Sequence, residues 1–375
     1  YITIFMKNLF IGLMSGTSVD SIDSALVNID RGSFELLESN SSLINKDLKK
    51  RIFEAVNSAE ISNVEIEELD VELGKAFGET ANRLIHKASL NNTDISAIGS
   101  HGQTIKHAPN TIKPYSLQIG KPEEITRVTK IKTVADFRTA DIEAGGQGAP
   151  LAPLFHKFIF KKDKLSEGVI INIGGICNLT YLNNLNEDII AYDCGPGNCL
   201  IDAWNRSHSK GEFDKKGSWA SSGKIIPKLL EVMLRDPFFR EQPPKSTGTD
   251  YFNLSWIKQS VSNCKSIFSP EDIQATLTEL TAQVIFKELK NLKAQKKKVY
   301  ICGGGIHNTY LINRLERIIE NNIFSTSLLG IDPDFLEASC FAWLAKQRLD
   351  RKKFDLTKIT GSRERVLLGE VWKAS

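Results

Sequence analysis

The chain has 375 residues and a net charge of +3; 41% of its residues are hydrophobic and 25% are charged. A chain of this length exceeds the usual size of one domain, so we expect two structural lobes. The composition is that of an ordinary globular protein. The small net charge gives no support for nucleic acid or an anionic membrane as a partner.

Six cysteines are spread along the chain without a CxxC pair, and most of them lie within apolar runs. This spacing indicates neither a zinc site nor a disulfide framework, so we expect buried thiols in a reducing compartment. The first residues are apolar, as in a signal peptide, but Lys7 and Asn8 interrupt them. No run reaches the roughly 18–20 apolar residues that a membrane span requires. The sequence therefore predicts a cytoplasmic protein without a membrane partner.

The first predicted elements are two apolar strands that flank a turn beginning with Gly16, Thr17 and Ser18. Such a hairpin tip suits a phosphate group, because backbone N–H groups can approach closely and hydroxyl groups can donate hydrogen bonds. Asp20 and Asp23 follow, and their carboxylates could hold Mg²⁺ through water. An ordinary hairpin turn is the alternative interpretation.

Two amphipathic helices are predicted next, over residues 48–56 and 64–90, followed by a strand that ends near residue 100. His101, Gln103 and Thr104 come directly after this strand. Their polar groups are suited to the hydroxyls of a sugar or another small polar substrate. A structural histidine at the end of a strand is the alternative.

A glycine-rich turn at residues 145–150 separates the two predicted lobes. Arg138 and Asp141 lie just before it and are candidate substrate contacts, with a surface salt bridge as the alternative. The expected lobe I covers residues 1–133, lobe II covers 134–354, and the segment 355–375 returns to lobe I.

The second lobe begins with the same pattern as the first: a strand, a turn at Gly174 and Gly175, and a returning strand. This internal repeat predicts a second hairpin of a size that suits phosphate. The next strand leads into Asp193 and a Gly-Pro-Gly turn at residues 195–197. A carboxylate on this rigid corner suits a general base, because the start of the following helix presents backbone N–H groups. An aspartate that merely caps the helix is the alternative.

A buried strand later in the chain runs into Gly303, Gly304 and Gly305 and then into a helix, an arrangement that suits a nucleotide. Neither a GxGxxG spacing nor the lysine of a Walker A loop is present, so the sequence predicts neither a Rossmann nor a P-loop site. The last long predicted helix, residues 334–349, carries Glu337 in its first turn, where the helix dipole favours a carboxylate.

Eight motifs in the same order resemble the 1,6-anhydro-N-acetylmuramic acid kinases across almost the whole chain. They are IGLMSGTSVD at 11–20, SHGQT at 100–104, ADFR at 135–138, GGQGAPL at 145–151, NIGG at 172–175, DCGPGN at 193–198, PKSTG at 244–248 and CGGG at 302–305. Each motif alone is weak, but eight of them in this order are specific. The chain departs from the family pattern at Ser21, Lys121 and Thr249-Asp250.

The resemblance implies an α/β protein with the two-lobed actin-like ATPase (ribonuclease H-like) fold and a central cleft for ATP and substrate. It implies that Asp193 is the catalytic base and that ATP and Mg²⁺ take part. The implied ATP-binding residues are Gly16, Thr17, Ser18, Val19, Asp20, Ser21, Ile22, Asp23, Gly174, Gly175, Gly303, Gly304 and Gly305. The implied substrate-binding residues are His101, Gln103, Thr104, Arg138, Gly195, Asn198 and Glu337, and Asp20 would contact the metal through water.

The implied reaction opens the 1,6-anhydro bridge of anhydro-N-acetylmuramic acid with water and phosphorylates O6. The product is N-acetylmuramic acid 6-phosphate, for peptidoglycan recycling; a homodimer is compatible with this role. Three alternatives stay open: an amino-sugar kinase that opens no ring, a glycoside hydrolase that pairs Asp193 with Glu337, and a non-catalytic ATP-binding switch of the actin type. The three glycine-rich phosphate sites argue against the hydrolase, and sugar-dependent release of ADP separates an enzyme from a switch.

Overall fold

The computed structural model describes residues 8–16, 19–30, 32–58, 61–163, 165, 167–183, 188–243, 245–320 and 323–374. Two of the expected ATP-binding residues, Thr17 and Ser18, lie outside these ranges. The chain divides into two compact units. The discontinuous unit consists of Tyr1–Lys162 and Phe335–Ser375, and the inserted unit consists of Asp163–Asp334.

The discontinuous unit is built on a six-stranded sheet with helices packed against it. Its strands are β1 (Leu9–Met14), β2 (Ser21–Asn28), β3 (Glu35–Leu43), β4 (Ile95–Ser100), β5 (Gln103–Ala108), β6 (Tyr115–Ile119), β7 (Thr133–Ala135) and β13 (Glu370–Trp372). Its helices are α1 (Lys46–Asn57), α2 (Asn63–Lys87), α3 (Pro122–Thr129), α4 (Thr139–Glu143), α5 (Ala152–Lys162) and α11 (Leu336–Leu349). The strand order is β13-β7-β4-β1-β2-β3, and β5 and β6 form a separate hairpin.

The inserted unit is built on a five-stranded sheet. Its strands are β8 (Gly168–Ile173), β9 (Ile176–Asn183), β10 (Asp188–Pro196), β11 (Val299–Cys302) and β12 (Ile323–Ser325). Its helices are α6 (Cys199–Ser207), α7 (Pro227–Leu234), α8 (Leu254–Asn263), α9 (Pro270–Asn291) and α10 (Thr309–Ile318). The strand order is β10-β9-β8-β11-β12.

The two sheets repeat one pattern of strand directions. In the discontinuous unit, β1 pairs antiparallel with β2, β2 pairs antiparallel with β3, and β1, β4 and β7 run parallel. In the inserted unit, β8, β9 and β10 are antiparallel neighbours, and β8, β11 and β12 run parallel. The hairpin repeat that the sequence predicts therefore extends to the whole sheet of each unit.

Two glycines within strands allow α11 to lie directly on the sheet of the discontinuous unit. A Cβ added at Gly12 of β1 would lie 1.7 Å from the carbonyl oxygen of Ala338, and one added at Gly99 of β4 would lie 2.0 Å from that of Phe341. Any side chain at these positions would push the helix away. The close approach fixes the N-terminal half of α11 against β1 and β4.

Helix α9 forms the centre of the inserted unit. Ser269 caps it by accepting a hydrogen bond from the amide of Asp272, and Pro270 occupies the first turn, where its missing N–H is not needed. Apolar residues such as Leu277, Leu280 and Val284 join the core with the sheet. Buried polar residues also lie on this helix, so it is enclosed on more than one side.

The unit boundaries differ from the expected lobes 1–133 and 134–354. Helix α5 packs against α11, and α11 packs against β1, β2 and β4. Both helices therefore belong to the discontinuous unit, whose boundaries lie at 162/163 and 334/335. At its C-terminal end, β13 pairs antiparallel with β7.

The strand before the candidate base is longer than the sequence predicts. The expected strand ends at residue 192, whereas β10 continues to Pro196. A register shift between Asp193 and Gly195 creates a bulge, so pairing with β9 resumes at Cys177 and Ile176. The sharp turn into α6 is therefore made by Gly197 and Asn198, after the strand.

Among the described residues, no helix combines the length and the apolar character that crossing a bilayer would require.

Candidate active site

The turn between β1 and β2 carries the first group of expected ATP-binding residues. The amide of Val19 donates to the carbonyl oxygen of Gly16 (3.0 Å), and the side chains of Val19 and Ile22 are buried in the core. The hydroxyl of Ser21 donates to Asp23 Oδ1 (3.2 Å). Val19 and Ile22 can therefore contact a ligand only through their backbone. At Gly16 an added Cβ would meet no atom within 4 Å.

Asp20, the expected metal contact, forms an ion pair with Lys49 of α1, and 53% of its side chain is exposed. Within the described ranges, no group of three His, Cys, Asp or Glu residues could hold a metal ion. Mg²⁺ usually keeps several waters and is bound by one or two carboxylates together with substrate phosphates. Asp20 is therefore compatible with a contact through water and does not form a protein-only metal cage.

Three of the expected substrate-binding residues come together in the discontinuous unit. The Arg138 side chain donates from Nη2 (2.8 Å) and Nε (3.3 Å) to Nε2 of His101, and from Nη1 to the carbonyl oxygen of Gly148 (3.1 Å). His101 Nδ1 lies 3.0 Å from the carbonyl oxygen of Gly102, so the neutral ring carries its hydrogen on Nδ1. Glu337, in the first turn of α11, interacts electrostatically with Arg138.

These neighbours set the charges of the cluster. Burial, with the positive charge of Arg138 second, lowers the pKa of His101 to about 3, so the ring stays neutral. Burial raises the pKa of Glu337 to about 7, although the Arg138 charge opposes this and Asp23 adds to it. Burial also lowers the pKa of Arg138 to about 10, which still leaves it charged at neutral pH. The cluster therefore offers a fixed cation beside a carboxyl group that titrates near neutrality.

Gln103 and Thr104 lie at the start of β5, where part of their bonding capacity is already used. Gln103 Nε2 donates to the carbonyl oxygen of Thr104 (3.2 Å), and Gln118 Nε2 donates to Thr104 Oγ1 (3.1 Å). Among the buried side-chain oxygens of the described residues that have no hydrogen-bond partner, Ser15 Oγ, Ser100 Oγ and Gln103 Oε1 belong to this region. Because such atoms are costly when left unpaired, they mark the region after β1 and β4 as a place for a polar ligand or water.

The side chain of Asp141 is not accessible to a substrate. It is fully buried, and its Oδ2 accepts from the amide of Gly148 (2.7 Å) while its Oδ1 accepts from the hydroxyl of Thr360 (2.7 Å). A Cβ at Gly146 would collide with this carboxylate. Asp141 therefore shapes the 145–148 turn, which in turn supplies the carbonyl oxygen that holds Arg138. The expectation that Asp141 contacts substrate is replaced by this structural role.

In the inserted unit, the turn at Gly174 and Gly175 is tied to the start of α6. The amides of Gly197 (2.9 Å) and Cys199 (3.0 Å) donate to the carbonyl oxygen of Gly175, and the amide of Asn198 donates to that of Gly174 (2.8 Å). Asn198 Nδ2 also donates to the carbonyl oxygen of Ile173 (3.2 Å). The side-chain nitrogen of Asn198 therefore holds the hairpin in place.

Asp193 lies at the bulge of β10 and is partly exposed. Its Oδ2 accepts a hydrogen bond from the amide of Thr247 (3.0 Å), and its own amide donates to the carbonyl oxygen of Lys245 (3.1 Å). Burial raises the pKa of Asp193 to about 6, although the Thr247 amide and the Lys245 charge oppose it. At neutral pH the carboxylate is therefore largely ionised and still basic enough to take a proton.

A buried ion pair lies behind this carboxylate, and sequence reasoning missed it. Lys245 Nζ is 2.8 Å from Glu288 Oε1, and their side chains are only 1% and 2% exposed. The signal was present in the sequence: Glu288 continues the apolar stripe of Leu280 and Val284 along α9, where a carboxylate needs a partner.

The remaining glycines of the inserted unit have two kinds of surroundings. A Cβ at Gly195 would lie 2.7 Å from the ring of Phe239, and one at Gly303 or Gly305 would collide with the end of β8. At Gly304 an added Cβ would meet no atom within 4 Å, and at Gly174 only one at 3.4 Å. Gly195 thus serves packing, whereas Gly174 and Gly304 leave space for a ligand.

The structure therefore gathers the expected residues into two groups, one in each unit. His101, Gln103, Arg138 and Glu337 lie around the ends of β1 and β4. Asp193, Gly174, Gly175, Asn198 and Gly303 to Gly305 lie around the ends of β8 and β10. In both units, these polar groups come after the carboxyl ends of strands. This is the usual position of ligand sites in open α/β sheets.

Two sheets with the same strand order and directions, each followed by glycine turns, define the class of the chain. It has the actin-like ATPase fold of sugar kinases, with a ribonuclease H-like sheet in each unit. Its sequence matches the family profile of anhydro-N-acetylmuramic acid kinase over residues 8–374.

Curated relatives agree with the profile. The anhydro-N-acetylmuramic acid kinase of Coxiella burnetii is 44% identical over 368 residues, covering 98% of this chain and 98% of the relative. That of Legionella pneumophila is 42% identical over 367 residues, covering 97% and 98%. A ROK family glucokinase structure from Streptomyces griseus, with bound glucose and AMPPNP, aligns over 90% of this chain and 99% of its own at 12% identity, with a TM-score of 0.39. The chain belongs to the anhydro-N-acetylmuramic acid kinase family.

Proposed function

We propose that this chain is an ATP-dependent kinase that opens the 1,6-anhydro ring of anhydro-N-acetylmuramic acid and phosphorylates O6. The product would be N-acetylmuramic acid 6-phosphate, an intermediate of peptidoglycan recycling. Membership of the family supports the substrate. The observation that carries the chemistry is Asp193, a carboxylate with a pKa of about 6 that one backbone N–H holds in place.

In the proposed reaction, Asp193 accepts a proton from a water molecule whose oxygen bonds to the anomeric carbon. The bond from that carbon to the bridging oxygen breaks, and the oxygen becomes O6. It then takes the γ-phosphoryl group of ATP, and ADP leaves. General-base assistance of this kind contributes about 10²–10⁴-fold to the rate, and alignment of the reactants supplies much of the remainder.

His101, Gln103, Thr104, Arg138 and Glu337 would bind the sugar. Arg138 uses one N–H of each terminal nitrogen on His101 and Gly148, which leaves one on each for a ligand. A guanidinium presented in this way suits the carboxylate of the sugar's lactyl group. Glu337, with a pKa of about 7, can accept or donate a hydrogen bond to a hydroxyl group.

In the discontinuous unit, the backbone of Gly16 and of residues 19–23 is the candidate phosphate contact. In the inserted unit, Gly174 and Gly175 are candidate phosphate contacts, and Gly303 to Gly305 are candidate nucleoside contacts. The open space at Gly16, Gly174 and Gly304 supports this assignment. Bound Mg²⁺ would screen the phosphate charges, with Asp20 as a contact through water. Asp23, hydrogen-bonded to Ser21, is a second carboxylate near this turn and lies in β2.

The test is an assay of ADP formation with Mg²⁺-ATP and the anhydro sugar in ¹⁸O-labelled water, with Asp193→Asn as the matched control. We expect sugar-dependent ADP and label on the anomeric oxygen, and none in free phosphate. Labelled free phosphate with unchanged sugar would indicate an ATPase or a switch. Activity on the open amino sugar alone would indicate a kinase that opens no ring.

A further inference from the structure

We propose that Lys245 and Glu288, the buried ion pair of the inserted unit, position the carboxylate of Asp193 and set its affinity for protons. Both are positioning residues, since they act through the backbone of residues 245–247 and through their charges. The inference deepens the proposed function and rests on Asp193 as the general base.

The backbone of residues 245–247 contacts Asp193 twice. The carbonyl oxygen of Lys245 accepts from the amide of Asp193 (3.1 Å), and the amide of Thr247 donates to Asp193 Oδ2 (3.0 Å). One contact fixes the main chain of the bulge and the other fixes the carboxylate. A movement of this short stretch by 1 Å would therefore move the base, and errors of that size can cost about 10²-fold in rate.

The Lys245 side chain anchors this stretch to α9. Its ammonium group donates to Glu288 Oε1 (2.8 Å) and lies 4.9 Å from the centre of the Phe238 ring. The other oxygen of Glu288 accepts from the hydroxyl of Tyr192 (3.1 Å) and from Asn291 Nδ2 (3.1 Å). Both carboxylate oxygens are thus bonded, and the pair has a single well-defined geometry.

Stability alone does not explain such a pair. Desolvation offsets most of the attraction between two buried charges, and an apolar pair of similar volume is often at least as stable. Precise placement of a neighbouring group is a better reason for its presence, because both oxygens of Glu288 accept hydrogen bonds and hold the Lys245 ammonium group in one place. The neighbour in this case is Asp193.

The pair also acts through charge. The positive charge of Lys245 lowers the pKa of Asp193 against the effect of burial. Burial keeps Tyr192 neutral by raising its pKa, and the hydrogen bond to Cys177, with burial second, does the same for Cys194. Among the described residues, the titratable groups that interact with Asp193 or with its neighbours Tyr192 and Cys194 are Lys245, Glu288 and Cys177. Of these groups, Lys245 and Glu288 are the ones that carry a full charge.

The decisive comparison removes each charge separately. In Lys245→Met the cation is lost, so we expect the pKa of Asp193 to rise by about one pH unit. In Glu288→Gln the amide oxygen can still accept from Lys245 while the anion is lost, so the pKa of Asp193 should fall. Damage to the fold alone would not shift this pKa in opposite directions. The readout is a ¹³C-carboxyl NMR titration of aspartate-labelled protein, with the Asp193 signal assigned from Asp193→Asn.

The matched control is Glu279→Gln, which breaks a second ion pair of α9, between the buried Glu279 and the partly buried Arg314 (2.6 Å). It should leave the Asp193 titration unchanged. Circular dichroism checks folding. If Lys245→Met does not fold, the double variant Lys245→Met/Glu288→Leu replaces both charges with apolar groups, and its Asp193 pKa should still rise because the nearer charge is the lost cation.

Opposite shifts in the two single variants, or the upward shift in the double variant, would support the inference. A titration that stays at the wild-type value in folded variants would overturn it. The kinetic readout separates this result from the proposed function, because the acid limb of kcat/KM should follow the NMR values. Full sugar-dependent activity in Asp193→Asn would refute the base assignment, whereas an inactive Asp193→Asn with unmoved titrations in the other variants would refute only the positioning role.

Discussion

The two units repeat one sheet but support their key carboxyl groups differently. Asp193 lies within a strand of the inserted unit, receives a backbone N–H, and has a fully buried cation behind it. Glu337 lies in the first turn of a helix of the discontinuous unit and has the partly buried Arg138 and the carboxylate of Asp23 near it. Burial raises both pKa values, to about 6 and about 7.

This difference separates the roles of the two groups. At pH 7.5 Asp193 is almost entirely ionised, whereas a substantial fraction of Glu337 is protonated. The first group can act as a base, and the second can exchange hydrogen bonds with a hydroxyl group. The repeated sheet therefore supplies two similar positions, and the local partners of each carboxyl group decide its chemistry.

The largest expected effect comes from Asp193→Asn, which removes the base of the inserted unit. We expect turnover to fall by about 10²–10⁴-fold. Because the folded-state pKa of about 6 exceeds the reference value of 3.8, the ionised side chain destabilises the fold as pH rises through 6. The variant should therefore be more stable than the wild type at pH 8, by about 1–3 kcal/mol, and equally stable below pH 4.

Turnover measurements, together with urea unfolding at pH 8 and below pH 4, check this prediction. A folded Asp193→Asn variant with near-normal turnover would show that Asp193 is not the base, and the proposed difference in role between Asp193 and Glu337 would be wrong. A variant that is less stable than the wild type at pH 8 would contradict the raised pKa.

The sequence predicted the features that depend on neighbouring residues, and it did not predict those that depend on residues far apart in the chain. The predicted strands around β1, β2, β4, β8 and β9, the turn at Gly174 and Gly175 and the periodic helices were confirmed, because each depends on residues close in the chain. The continuation of β10 through Asp193 was not predicted, because a bulge leaves no trace in the hydrophobic pattern. The hydrogen bond from Thr247 to Asp193 joins residues 54 positions apart, which no local pattern specifies.

Other features left a signal that was not used. Glycine inside an apolar strand indicates close approach of another backbone, and Gly12 and Gly99 are two such residues. The electrostatic partners of Glu337 could not be found in this way, because Arg138, Asp23 and Glu337 are far apart in the sequence and meet only in the folded unit.

The second prediction compares glycines of the two hairpins. Gly12→Ala would place a Cβ 1.7 Å from a backbone oxygen of α11, so we expect a loss of about 3 kcal/mol or more in the free energy of unfolding. Gly174→Ala meets only one atom, at 3.4 Å, and should change that free energy by less than about 1 kcal/mol. If Gly174 contacts a phosphate, the same variant raises the KM for ATP.

Urea unfolding followed by circular dichroism, together with ATP kinetics, tests both variants. Equal losses of stability would show that the two hairpins are packed alike, against the structure. An unchanged KM for ATP in Gly174→Ala would remove that glycine from the proposed ATP site.

A smaller effect is expected for Arg138→Gln, which removes the cation near Glu337. The pKa of Glu337 should then rise above 7, and that of His101 should rise above 3, because the Arg138 charge lowers both. We expect the KM for the sugar to increase roughly tenfold, as for a lost charge-assisted hydrogen bond, and the midpoint of its pH dependence to move upward. Arg127→Gln, at an exposed ion pair of α3, is the matched control. If the midpoint of the pH dependence of KM does not move, the charge of Arg138 does not influence the titration of Glu337.

The smallest effect is expected at Asp20, which forms an ion pair with Lys49. Here the two variants to compare each remove one partner of this pair. Asp20→Asn and Lys49→Met both break the pair, so each should change the free energy of unfolding by less than about 1 kcal/mol. Only Asp20→Asn removes a carboxylate that could bind a metal-bound water. The Mg²⁺ concentration for half-maximal rate should therefore rise in Asp20→Asn and stay level or fall in Lys49→Met, whose carboxylate is released from its partner. If the Mg²⁺ requirement changes equally in both variants, Asp20 serves only to hold α1, and Asp23 becomes the carboxylate to test at this turn.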